Sequence, residues 1–178
     1  MNFTKLEHNI VDMIKEQQVK LGYRSESVYL FYPLGSLNRL LQTDADEGRM
    51  VQLLGAFCDG AKERLGPVEV SNQGERFCFV IPAQGADYVH AHTGSREFIV
   101  DFVNAVSRHG AAIDDLLPLF HQYSNAVHVE RVSHPEFDCL VYFADGKPDD
   151  YRYCLKQEGP HVTYHRYTPE DFADFFSE

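Results

Sequence analysis

The chain has 178 residues, 44% of them apolar and 24% charged, with no Trp. That length suits a single globular domain, 1–178, or at most two very small ones, and it can bury a core without disulfide or metal staples. Asp and Glu outnumber Lys and Arg by 27 to 16, a formal charge of −11 at pH 7, which argues against general nucleic-acid binding and against docking on anionic membranes.

The first predicted element is a helix from Phe3 to Leu21. Phe3, Leu6, Ile10, Met13, Ile14 and Leu21 recur at three- and four-residue steps, and Gly22 offers a stop. Ser27–Pro33 is apolar and aromatic but too short to classify by period, and Pro33 limits it as a central strand. Leu34–Leu41 reads as a short helix with a proline before it. Thr43 or Asp44 can cap the next helix, with Asp46 and Glu47 in its first turn. Met50, Leu53, Leu54, Phe57, Ala61 and Leu65 form its stripe, and Gly66-Pro67 ends it.

The pattern then changes to period 2. With Gln73-Gly74 as a two-residue loop, Val70 faces Phe77 and Val68 faces Phe79 in a hairpin. Val89–His92 is read as extended, and Ser95–His109 as a helix with Phe98, Ile99, Phe102, Val103 and Val106 on its stripe. A shorter helix over Asp114–Tyr123 carries Pro118. The last third is read as a meander of Val127–Val132, Phe137–Ala144, Asp150–Gln157 and His161–Tyr167. Taking Glu158-Gly159 as its last loop pairs Tyr153 with Tyr164 and Leu155 with Val162. Thr168-Pro169 caps a final helix docked by Phe172, Phe175 and Phe176. The expected fold is α+β: an antiparallel sheet built from the first hairpin and the C-terminal meander, packed against several amphipathic helices.

Two groups of residues carry chemistry worth weighing. In an extended segment, His90 and His92 point to one side and could hold a divalent transition metal, with Glu97 as an oxygen ligand. The stretch from Gly85 to Glu97 resembles the first metal motif of cupin barrels, although the downstream glycine and second motif are missing. It is also similar to the His-Ala-His-Thr motif of histidinol-phosphatase-type hydrolases, which need a larger barrel. The second group is one face of the last hairpin, Arg152, Cys154, Lys156, His161, Thr163 and His165. Arg152, His161 and His165 there suit an anionic ligand. The acidic pairs Asp44/Asp46, Asp114/Asp115 and Asp149/Asp150 are explained by helix starts and a turn. No nucleophile elbow, Walker loop or dinucleotide fingerprint occurs. Cys58, Cys78, Cys139 and Cys154 lack the spacing of a zinc or redox motif and read as reduced thiols.

No run approaches eighteen apolar residues, so no bilayer span is expected. The opening Met1–His8 lacks a basic region followed by an apolar run, so no secretory signal is expected and the location is expected to be cytoplasmic.

The segments Leu21–Val28 and Tyr29–Asn38 resemble an uncharacterised bacterial family, a domain of unknown function typical of anaerobic Firmicutes. The resemblance implies a bacterial, cytosolic origin and carries no assigned activity or catalytic residue. Two function classes follow. The first is a non-enzymatic module that binds a protein partner or a small anionic ligand through its acidic surface or the aromatic segment Tyr23–Tyr32. The second is a small metal-dependent, hydrolase-like enzyme that uses His90 and His92.

Overall fold

The computed structural model describes residues 2–177 and has an α+β architecture of seven helices and two antiparallel sheets. The chain divides into two compact units, Met1–Gly94 and Ser95–Glu178.

In the N-terminal unit, α1 (Thr4–Leu21) is followed by β1 (Val28–Pro33), α2 (Leu34–Leu41), α3 (Glu47–Leu65), β2 (Glu69–Gln73), β3 (Arg76–Ile81) and α4 (Ala83–His92). The unclassified aromatic segment is therefore a strand. Its burial alternates strictly: Val28, Leu30 and Tyr32 point inward, Tyr29, Phe31 and Pro33 outward. The sheet order is β1-β3-β2. On its inner side Phe77, Phe79 and Ile81 are fully buried against Leu6, Ile10 and Ile14 of α1 and Met50, Leu54 and Phe57 of α3. Edge-to-face rings join Phe79 to Tyr32 (5.3 Å) and Phe57 (6.3 Å). The hydroxyl of buried Tyr32 donates to Asn9 Oδ1 at 2.7 Å, so this buried polar group is paired. Asp46, not Thr43 or Asp44, caps α3 by accepting from Arg49 N–H.

In the C-terminal unit, α5 (Phe98–Val106) and α6 (Ile113–Tyr123) precede β4 (Val127–Arg131), β5 (Cys139–Phe143), β6 (Arg152–Glu158), β7 (His161–Tyr167) and α7 (Pro169–Phe176). The strands form a four-stranded meander, β4-β5-β6-β7. On its inner face Phe143, Tyr153 and Tyr164 meet Phe98 and Phe102 of α5 and Phe120 of α6 in one aromatic cluster. His128 pairs with Tyr142 and Glu130 with Leu140, which settles the register of β4. The outer face differs from the expected polar one. Leu140 and Cys154 are buried there with Phe137, and Phe172 and Phe176 of α7 pack over them in a second, smaller core. Phe175 stays 55% exposed, its ring making an edge-on contact with Tyr167 at 5.7 Å.

Both hairpins turn one residue later than expected. Val70 pairs with Phe79, and Leu155 with Tyr164, while Tyr153 faces Arg166. The cause is the glycine: Gly74 and Gly159 have φ of +56° and +60° and stand first in their two-residue loops. A positive φ at the first loop position alone is what a type II′ turn needs, and Pro160 fits the second position because its φ is fixed negative. The slip moves each register by two, so every side chain keeps its face.

Candidate functional site

The reading of Val89–His92 as extended is overturned, because α4 runs through both histidines. Two residues apart on a helix is about 200° of rotation, so the two imidazoles leave in opposite directions. The ring of His90 lies flat on Tyr23, with centroids 3.7 Å apart. His92 stacks on Tyr88 at 4.1 Å and its Nδ1–H donates to the Tyr88 carbonyl. Glu97 is the residue before α5, in the other unit. Among the described residues, no three His, Cys, Asp or Glu side chains are arranged to hold a metal.

His90 instead belongs to a hydrogen-bonded corner. Tyr23 O–H donates to one oxygen of Asp87 (2.5 Å) and Ser25 O–H to the other (3.0 Å). These bonds hold the Asp87 carboxyl below its usual range, and the same carboxylate raises the Tyr23 hydroxyl. The corner fastens the segment after α1 to α4. The hydroxyl is committed as a donor, so it is poorly suited to act as a base.

The anionic-ligand trio is only partly assembled. Arg152 pairs with Tyr167, and His165 with Cys154, so these two side chains occupy neighbouring rows of the outer face. His161 sits at the turn end of β7, about 13 Å along the strand from His165, with its ring edge-on to His109. Arg152 is already engaged. Its guanidinium lies 3.9 Å from the Tyr142 ring centre and donates to the Asp150 carbonyl, while His128 stacks on the same Tyr142.

All four cysteines are free thiols. Burial pushes the Cys58 and Cys139 thiols up and takes Cys154 to about 12, which disfavours the nucleophilic thiolate. Tyr123 shifts the same way. Tyr123 donates to Asp101 at 2.5 Å, and that bond, with burial, pushes its hydroxyl up to about 12. A raised value means the folded chain keeps a proton that the unfolded chain gives up. This contribution is complete below about pH 10 and is lost as the pH climbs towards 12. Denaturant melts at stepped alkaline pH should therefore show a shallower decline for Tyr123→Phe than for wild type. Equal slopes would refute the coupling.

The sequence offers the aromatic segment Tyr23–Tyr32 as a binding surface but not which of its side chains face outward, because a strand's two faces cannot be told apart until the strand is recognised. Tyr29 and Phe31 stand on it 59% and 55% exposed. Across the strands the rows are Tyr29–Val80–Glu69, Phe31–Cys78–Ser71 and Pro33–Arg76–Gln73. A groove of about 370 Å³ runs along it, lined by Phe31, Ser71, Asn72, Gln73, Arg76 and Cys78. The Arg76 guanidinium lies over the Phe31 ring, 4.7 Å from its centre. Among the described residues it makes no hydrogen bond or ion pair, so its donors are unspent.

An α+β chain with one sheet face covered by helices and the other carrying bare aromatics is the class defined here. Residues 3–176 match the model of a family described as "Domain of unknown function, E. rectale Gene description (DUF3877)", and the chain belongs to that family. No curated protein and no solved structure matches it. No helix among the described residues is long and apolar enough to cross a membrane.

Proposed function

We propose that this chain is a non-enzymatic binding module whose recognition surface is the outer face of the β1-β3-β2 sheet. The observation that carries the reading is the pair Tyr29 and Phe31, both more than half exposed on a face where an antiparallel sheet open to water ordinarily shows polar residues. Exposed aromatics beside an unspent arginine have the composition of an interface core. The C-terminal face is a weaker candidate, since Arg152 is already engaged and α7 covers part of the sheet.

The test is capture from a bacterial lysate on immobilised protein, wild type against Phe31→Ser, with bound material identified by mass spectrometry. Phe31 contributes little to the core, so its replacement should cost no more than about 1 kcal/mol of stability. Material held by wild type at low and at high salt should be lost with Phe31→Ser. Salt-resistant capture that is unchanged in the variant would sink the proposal.

A further inference from the structure

The groove on this face has a composition that names its ligand. We infer, resting on the binding reading above, that it takes a small organic monocarboxylate, with the carboxylate on Arg76 and the apolar body against Phe31 and Cys78. Arg76 presents a planar fork of N–H donors that matches a carboxylate in two parallel hydrogen bonds. Because the guanidinium already rests on the Phe31 ring, little side-chain freedom is lost when an anion arrives.

The opposite wall adds polar groups of unequal use. The Asn72 amide is spent on the Gly74 carbonyl, which leaves Ser71 and Gln73 to contact the ligand. Among the described residues, Arg76 is the one cationic side chain lining the groove. A single fork balances one negative charge, whereas phosphate groups are recognised by clusters of cations or by backbone nests. Glu69 lies at the far end of the same face and does not line the groove. The volume, about 370 Å³, is at the lower end of ligand cavities, which favours a small molecule over a long chain. The charge of −11 also weighs against an acidic protein as the source of the carboxylate, since two acidic surfaces repel.

The experiment is a titration of amide NMR signals of the whole chain with benzoate and with its neutral isostere benzamide. Benzoate should shift the signals of Phe31, Ser71, Gln73 and Cys78 saturably, with benzamide roughly tenfold weaker. Arg76→Gln should weaken benzoate about tenfold and leave benzamide unchanged, and Arg76→Lys, which keeps the charge without the fork, should fall between. Equal affinity for the two probes, no loss in Arg76→Gln, or no shifts in the groove overturns the inference. Inorganic phosphate binding the groove as tightly as benzoate overturns the choice of carboxylate. Two probes binding equally over Phe31 would leave the recognition face itself standing, since that reading fails only if Phe31→Ser captures like wild type.

Discussion

Phe102→Ala should cost the C-terminal unit about 3–5 kcal/mol, the usual cost of removing a buried phenyl ring. Phe102 is wholly buried and sits at the centre of the inner aromatic cluster. Its ring is 4.8 Å from Tyr164, 4.9 Å from Tyr153 and 5.7 Å from both Phe98 and Phe120. Alanine would leave four rings facing a void that none can fill, because each is held by the others. Single domains are stable by about 5–15 kcal/mol, so a large part of the margin disappears. Phe175→Ala is the matched control. Its ring is 55% exposed, and the expected change is within about 0.5 kcal/mol. Urea unfolding of the two variants measures both, and a Phe102→Ala loss below about 1 kcal/mol would refute the packing account.

The second large effect has a sign opposite to the one helix propensity gives. Gly85 lies inside α4, where alanine ordinarily gains up to about 1 kcal/mol over glycine. Here a Cβ would stand 2.5 Å from Ile81 Cγ2 and 2.6 Å from the Leu65 carbonyl oxygen. The carbonyl is backbone at the end of α3 and has no rotamer to yield. Gly85→Ala is therefore expected to destabilise by about 1–3 kcal/mol. Gly60, in α3, meets nothing within 4 Å, so Gly60→Ala should stabilise by about 0.5–1 kcal/mol. The pair shares one chemical change, and thermal melts that move in the same direction for both would refute the close-approach argument.

Gly85 also explains why α4 was illegible in the sequence. A helix is found by a stripe of large apolar residues, but α4 buries Gly85, Ala86 and Val89 and docks by coming near instead of by reaching across. With no stripe, the sequence pattern places the two histidines on an extended chain, and the metal pair depends on that placement. Where the stripe was present, as in α3 and α5, existence and face were legible and only the ends moved. The hairpins were legible as to face because the apolar period fixes parity, but not as to register, because Gly74 and Gly159 could stand first or second in their loops. The aromatic segment is a binding candidate in the sequence, but which of its side chains face outward is hidden for a different reason. In Val28–Pro33 both faces are apolar or aromatic, and a strand that is hydrophobic on both sides has no alternation to read.

Connectivity sets the two sheets apart. Each pairing in the C-terminal meander joins strands that are neighbours in sequence, so every one closes a short loop. In the N-terminal sheet β1 must find β3, bringing Val28 to Ile81 across about fifty residues that include α2, α3 and β2. Loop-closure entropy grows slowly with length, but assembly slows as contacts become more distant in sequence. The meander is therefore the part of the chain suited to form early. The face bearing Tyr29, Phe31 and Arg76 exists only once the long-range pairing is made. A nascent chain that ends between Cys78 and Ile81 carries all of the groove's lining residues, but Phe31 joins the other five only when β1 pairs with β3.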